Sequence, residues 1–174
     1  SLAMRQLRPL LKTIAPANSR VLISGDMGTG TELTARMLHA PSTRAAGPCV
    51  TLSAATMAPE RMEEELFGIE AAPGIEQRVG ALEEAHGGTL FIDEVADMPL
   101  VTQGKVLRVL LDQTFQRVGG AKKVRVDVRI VSSTSRDLVS LIAENKFRED
   151  LYHRLGVVLV RVPSLSERRE DIPE

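Results

Sequence analysis

The sequence has little of the material that cross-links and metal centres require. Its 174 residues include one cysteine, Cys49, so no disulfide can form within the chain. We expect Cys49 to be a buried residue of a strand, because free cysteine behaves as a small hydrophobe. The three histidines, His39, His86 and His153, lie far apart and lack the spacing of metal ligands.

Long apolar runs and a large net charge are absent as well. No segment approaches the roughly 20 apolar residues that cross a bilayer, and the first residues do not resemble a signal peptide. We therefore expect no membrane partner and a cytoplasmic location. The net charge of −1 gives no general attraction to nucleic acid or to an anionic membrane surface. The length favours one domain with one sizeable core.

The sequence does contain a regular alternation of strand and helix patterns. Strands are predicted at 20–24, 48–52, 89–93, 126–133 and 156–162. Helices are predicted at 3–14, 31–39, 59–66, 79–85, 100–112, 136–143 and 147–155. Residues 115–126 indicate a hairpin around Gly119-Gly120. This alternation predicts an α/β fold, with a parallel five-stranded sheet that has helices on both faces.

A glycine-rich loop connects the first predicted strand to a helix, and it reads Gly25-Asp26-Met27-Gly28-Thr29-Gly30-Thr31-Glu32. A phosphate-binding loop is a glycine-rich loop between a strand and a helix, and its backbone N–H groups and the helix N-terminus bind the anion. Such loops require a lysine after the last glycine, and this chain has Thr31 there. The sequence therefore predicts a nucleotide site that lacks its phosphate-binding cation.

Two carboxylates end the strand predicted at 89–93, where Asp93 and Glu94 follow an apolar run. In a nucleoside triphosphatase the first would help to hold Mg²⁺, and the second would polarise the attacking water. The alternative is a strand that stops at a solvated acidic turn. The glycine-rich loop elsewhere in the chain favours the catalytic interpretation.

Three further polar residues are candidates for the same chemistry. Ser135 follows another predicted strand, where it either senses a phosphate or a water, or caps the helix that starts at Arg136. Arg148 and Arg154 fall in one predicted helix, about 120° apart around its axis, and can reach different partners. Arginines near a subunit boundary can contact a neighbour's γ-phosphate. An ordinary solvated helix face is the alternative for both.

Taken together, these segments resemble the central AAA+ domain of bacterial enhancer-binding proteins, the NtrC family. The resemblance covers nearly the whole chain. Its other matching pieces are Glu65-Leu66-Phe67-Gly68, Gly87-Gly88, Leu107-Arg108-Val109-Leu110, Phe115 to Gly120, Val126 to Ile130 and Phe147 to Leu155. Within the family, residues 80–88 and 132–138 are most similar to a response regulator of nitrogen metabolism that is paired with a sensor kinase.

The resemblance implies a AAA+ P-loop nucleoside triphosphatase core that occupies residues 1–174 of a longer response regulator. ATP or ADP, with Mg²⁺, would bind between the subunits of a ring, usually a hexamer. Hydrolysis would drive the remodelling of RNA polymerase that carries sigma-54. We expect the receiver, the C-terminal helical lid and the helix-turn-helix domain that binds DNA to lie outside this chain.

The resemblance also implies a role for each candidate residue. Glycines 25, 28 and 30 would shape the phosphate loop that residues 25–32 form. Asp93, as the Mg²⁺ ligand, and Glu94 would be the Walker B pair. Ser135 stands where the family has an asparagine that senses the γ-phosphate. Arg148 and Arg154 match the arginines that act in trans on the neighbouring site.

Two departures from the family pattern affect the expected function. Thr31 replaces the lysine that would pair with the phosphates. Truncating one partner of a desolvated charge pair typically weakens binding by about 2–5 kcal/mol. Residues 69–78 replace the Gly-Ala-Phe-Thr-Gly-Ala loop that touches the sigma factor, and Pro73-Gly74 predicts a plain turn. We therefore expect nucleotide sensing and self-association, with impaired hydrolysis and no sigma-54 contact loop. The alternatives are an active ATPase that remodels sigma-54 RNA polymerase, and an oligomerisation scaffold that needs no nucleotide.

Overall fold

The computed structural model describes residues 9–10, 13–14, 18–26 and 31–162, with the backbone alone for Glu32. Most of the helix predicted at 3–14, the loop residues 27–30 and everything from residue 163 onward lie outside the described residues. Within the described part of the chain, no helix combines the length and the hydropathy that crossing a membrane requires.

Within the described residues, seven strands form a central sheet and a separate hairpin. They are β1 (Val21–Ser24), β2 (Cys49–Ser53), β3 (Thr89–Asp93), β4 (Thr114–Gln116), β5 (Lys123–Arg125), β6 (Arg129–Thr134) and β7 (Val158–Arg161). The central sheet has the order β2-β3-β6-β1-β7, and all its neighbouring strands are parallel. Strands β4 and β5 pair antiparallel. The predictions of a five-stranded parallel sheet and of a hairpin are confirmed.

Six helices connect these strands within the described residues. They are α1 (Thr31–His39), α2 (Pro59–Phe67), α3 (Ala81–Glu84), α4 (Leu100–Asp112), α5 (Leu138–Ala143) and α6 (Glu149–Leu155). Pro59 starts α2, where its missing N–H costs no hydrogen bond, and Gly68 ends that helix at a φ of 80°. Short 3₁₀ turns follow β2 at Ala54–Thr56 and β3 at Val95–Asp97.

Helices cover both faces of the sheet because successive side chains of a strand point to opposite faces. In β1, Val21 and Ile23 pack with Leu38 of α1 on one face. Leu22 belongs to the larger core on the other face, which includes Leu151 of α6. That second core also contains residues of α2, α3, α4 and α5. The predicted helical layers on both faces are therefore confirmed.

Cys49 lies in a strand, as predicted, but it is only half-buried, so the prediction that it is a buried core residue is wrong. It starts β2, which has a neighbouring strand on one side only among the residues that the structure describes. An edge strand keeps part of its surface open to solvent, and the apolar run at Cys49-Val50 does not reveal the order of the strands.

Ser132 in the middle of β6 is fully buried, and its Oγ has no hydrogen-bond partner among the described residues. A buried unsatisfied hydroxyl costs about 1–3 kcal/mol. We therefore expect Ser132→Ala to raise the free energy of unfolding by about 1 kcal/mol. For a domain of this size the midpoint of thermal unfolding should rise by about 2–4 °C, which circular dichroism can follow.

The neighbouring Ser133 provides the matched control. Its hydroxyl donates to Asp93 Oδ1 and accepts from the Glu94 N–H, so Ser133→Ala should lower the midpoint. A lower midpoint for Ser132→Ala as well would show that the Ser132 hydroxyl is hydrogen-bonded.

Candidate functional site

All five strands of the described sheet end in a polar residue at one edge, and the candidate residues end or follow three of them, β1, β3 and β6. Because β1, β3 and β6 are parallel, Ser24, Asp93 and Thr134 all lie at carboxyl ends, where open α/β sheets bind ligands. The Gly25 N–H donates to the Thr134 carbonyl over 3.1 Å, which continues the pairing of β1 and β6 into the loop. A cavity of about 240 Å³ opens here, lined by residues 24–26, 134–137 and 161–162.

The loop prediction is only partly covered by the structure. Gly25 is half-buried and Asp26 is exposed, and both line the cavity at the strand ends. Thr31 is the first residue of α1 and is half-buried. Glu32 belongs to the same helix, but its side chain lies outside the described part, as do Met27, Gly28, Thr29 and Gly30 in full.

The Asp93 carboxylate is tied to the neighbouring strand β6. Ser133 Oγ donates to Asp93 Oδ1 over 2.6 Å, and the same Oγ accepts the Glu94 N–H over 3.2 Å. Asp93 is half-buried, so its carboxylate is not sealed from solvent. Ser133 was not among the residues predicted for the site. Its position in the polar run that ends the predicted strand is the one sequence signal that could have found it.

Glu94 has an unusual backbone conformation that turns its side chain toward the end of β6. Its φ of 59° and ψ of 63° lie in the left-handed region, which is costly for a residue with a side chain. The carboxylate accepts the Ser135 hydroxyl at 2.6 Å and the Ser135 N–H at 3.0 Å, both on Oε2. Thr134 Oγ1 lies 3.4 Å from Oε1, but its proton is donated to the Arg136 carbonyl over 2.9 Å. Glu94 is therefore buried, 5% exposed, and held by hydrogen-bond donors.

Ser135 does not cap a helix, so that alternative is wrong. Helix α5 begins at Leu138, and its N-cap is Asp137, whose Oδ1 accepts the Val139 N–H over 3.0 Å. The Ser135 hydroxyl and N–H are instead both directed to Glu94. The structure thus brings together three of the predicted site residues, Asp93, Glu94 and Ser135.

Arg148 and Arg154 do not share a helix, which corrects the prediction of a 120° separation. Helix α6 begins at Glu149, and Arg148 is its N-cap with an extended backbone, φ −78° and ψ 130°. The Arg148 N–H donates to the buried Gln103 of α4 over 2.8 Å, which holds this residue outside the helix. No hydrogen bond or ion pair within the described residues joins either arginine to Asp93, Glu94 or Ser135.

The Arg148 guanidinium forms a two-pronged ion pair with Asp150. Nε donates to Oδ1 over 3.0 Å and Nη2 donates to Oδ2 over 2.9 Å. This hydrogen bonding raises the pKa of Arg148 above its ordinary value and lowers the pKa of Asp150. The Arg148 side chain is 42% exposed and lines a cavity of about 770 Å³. Arg154, in the last turn of α6, is exposed.

The segment at 69–78 forms a short turn attached to the β4–β5 hairpin. Ala72 and Ile75 exchange backbone hydrogen bonds around Pro73-Gly74, and Gly74 has a φ of 77°, so the predicted turn is confirmed. The Glu70 N–H donates to the Val118 carbonyl over 3.0 Å. Arg117 of the hairpin contacts Glu70 over 3.3 Å and Glu83 of α3 over 2.8 Å.

Comparison with known proteins identifies similar chains. Residues 1–161 match the family described as the Sigma-54 interaction domain. The chain is 62% identical over its full length to the "Nitrogen assimilation regulatory protein NtrX" of Azorhizobium caulinodans. It spans only 38% of that relative's length.

Solved structures show the same fold. Crystal structures of NtrX from Brucella abortus in complex with ADP and with ATP match at TM-scores of 0.95 and 0.93. Their identities are 62% and 63%; each match covers 99% of this chain and 38% or 40% of the other. The P-loop NTPase domain of the sigma-54 transport activator from E. coli matches at a TM-score of 0.62 and 21% identity, over 91% of this chain and 93% of its own. The predicted AAA+ P-loop fold is therefore confirmed.

Proposed function

This chain belongs to the Sigma-54 interaction domain family, and we propose that it is the nucleotide-sensing core of a nitrogen response regulator similar to NtrX. In this proposal residues 1–174 are the α/β subdomain of a longer protein. A receiver would connect it to a sensor kinase, and a C-terminal domain would bind DNA. The subdomain itself would associate with copies of its own chain into a ring.

ATP and ADP are the ligands that we assign to the carboxyl edge of the sheet. The NtrX structures described as ADP and ATP complexes, at 62% and 63% identity, support this assignment. In this chain, α1 begins at Thr31, directly after the glycine-rich loop. The first N–H groups of a helix have no intrahelical partner and favour a phosphate. Backbone groups therefore provide a basis for binding without the lysine.

Asp93 is the residue that would hold Mg²⁺ with the nucleotide. Mg²⁺ usually binds one or two carboxylates together with substrate phosphates. Asp93 fits that role because it is half-buried at the end of β3 and is oriented by Ser133. Within the described residues, no three His, Cys, Asp or Glu side chains form a metal-binding group. The phosphates and water would supply the remaining ligands.

The position of Glu94 is the observation that supports weak hydrolysis. A general base must lie within hydrogen-bond reach of the water whose proton it takes. The Glu94 carboxylate is buried against the end of β6, where the Ser135 hydroxyl and N–H donate to it. These contacts would have to break before Glu94 could activate a water. Thr31 would weaken hydrolysis further, because a neutral hydroxyl cannot offset the charge of a triphosphate.

The turn at 69–78 supports the proposal that the chain does not contact sigma-54. It lacks the Phe-Thr-Gly sequence of the family's contact loop. Its backbone bonds to Val118 and its ion pair with Arg117 attach it to the hairpin. A segment attached in this way presents no extended loop to a partner.

Sedimentation velocity of the full-length protein tests the proposal. We expect Mg-ATP or Mg-ADP to bind and to shift the protein toward larger species, without capture of sigma-54 in a pull-down. An absence of nucleotide binding would favour the scaffold alternative. Nucleotide-dependent capture of sigma-54 would contradict our interpretation of the turn at 69–78.

A working ATPase is the second candidate function. The presence of Asp93, Glu94, Arg148 and Arg154 favours it, because these are the residue types that hydrolysis requires. It predicts turnover in the unmodified protein, whereas nucleotide sensing predicts binding with little phosphate release.

A further inference from the structure

Gln103 of α4 is a fully buried polar side chain whose hydrogen-bonding groups are all used. Its Nε2 donates to the Met98 carbonyl over 2.8 Å and to the Lys146 carbonyl over 3.1 Å. Its Oε1 accepts the Arg148 N–H over 2.8 Å. A glutamine side chain offers two donors and an acceptor, and each of them has a partner here.

These three bonds join two separate parts of the candidate site. Met98 follows the 3₁₀ turn Val95–Asp97, whose N-cap is Glu94. Lys146 and Arg148 belong to the segment between α5 and α6. One buried carboxamide therefore connects the turn after Glu94 to the backbone of Arg148.

Gly104, the next residue of α4, accommodates the side chain of the same arginine. A Cβ atom at position 104 would lie 3.1 Å from Arg148 Nη1, closer than most such contacts. A glycine in the interior of a helix makes the helix less stable than an alanine would, so Gly104 lowers the stability of α4. The contact with Arg148 gives this glycine a structural role, because it leaves room for the guanidinium beside the helix.

We propose that Gln103 and Gly104 are positioning residues that couple the Glu94 turn to Arg148. Glu94 lies in the left-handed region and is held by Ser135. A nucleotide phosphate that displaced Ser135 from Glu94 would let the turn move. The bond from Gln103 to the Met98 carbonyl would transmit that movement to the Arg148 N–H. The partner that receives Arg148 would be the nucleotide site of a second copy of this chain, so the inference rests on the proposed function.

The test is sedimentation velocity of the full-length protein in Mg-ADP and in Mg-ATP. It measures how strongly the nucleotide induces self-association. We expect Gln103→Met and Arg148→Ala each to weaken association about tenfold, the effect of losing one good contact. The double variant should associate no more weakly than Arg148→Ala alone. If Gln103 has a purely structural role, the losses of association free energy from the two single variants should instead add in the double variant.

Two further variants separate positioning from folding. Gly104→Ala should leave thermal stability unchanged or higher, since alanine favours the helix, yet it should weaken association by displacing Arg148. Thr102→Val is the control, because Thr102 is equally buried in α4 but its hydroxyl is directed to Glu63. It should associate like the unmodified protein.

The outcomes distinguish the two proposals. If the unmodified protein binds no nucleotide in a calorimetric titration, the proposed function fails. If it binds and associates, but Gly104→Ala associates equally well and the losses from Gln103→Met and Arg148→Ala add, the coupling inference alone is overturned.

Discussion

Replacing Thr31 by lysine is expected to tighten the binding of Mg-ATP at least thirtyfold. Truncating one partner of a desolvated charge pair typically weakens binding by about 2–5 kcal/mol, which corresponds to roughly thirtyfold to several-thousandfold in affinity. Thr31 begins α1 and is half-buried, so a lysine there would lie next to the phosphate-binding loop. Isothermal titration calorimetry of both proteins measures the change.

The matched control for this prediction is Thr31→Gln. Glutamine provides a longer polar side chain without a charge, so we expect its affinity to stay near that of the unmodified protein. If Thr31→Lys and Thr31→Gln bind equally well, the missing charge is not what limits the affinity, and the importance that we assign to position 31 is contradicted.

Glu94→Gln should abolish ATP turnover in the Thr31→Lys background while leaving nucleotide binding in place. A positioned general base contributes about 10²–10⁴-fold to the rate, and an amide cannot take the proton from water. Phosphate release by Thr31→Lys and by Thr31→Lys/Glu94→Gln measures the loss, and calorimetry confirms that both still bind.

The control for that loss is Glu84→Gln, which makes the same chemical change on an exposed carboxylate of α3. We expect it to hydrolyse ATP like its parent. Equal rates with and without the Glu94 carboxylate would show that another group activates the water.

The sequence predicted the arrangement of the fold because its apolar periodicities are strong and alternate regularly. The ends of β1, β3 and β6 carry the polar residues that it singled out, and a parallel sheet necessarily brings those ends to one edge. Asp93 and Ser135 therefore lie at the same edge in the structure, as the interpretation of the strand ends requires.

The errors arose where a contact distant in sequence decides the local structure. Arg148 is excluded from α6 because its N–H bonds to Gln103, 45 residues earlier. The helix that Ser135 was predicted to cap begins at Leu138 with Asp137 as its N-cap, and the Ser135 hydroxyl bonds instead to Glu94, 41 residues earlier. Neither contact has a local signal, and the significance of Gln103 depends on three partners that only the folded chain brings together.

The most direct test of nucleotide sensing without efficient hydrolysis is a titration of the unmodified full-length protein with Mg-ATP, followed by assay of the released phosphate. Our account predicts saturable binding and ATP that is recovered largely intact. Steady phosphate release that disappears in Glu94→Gln would contradict it, and would make the working ATPase the better description of this chain.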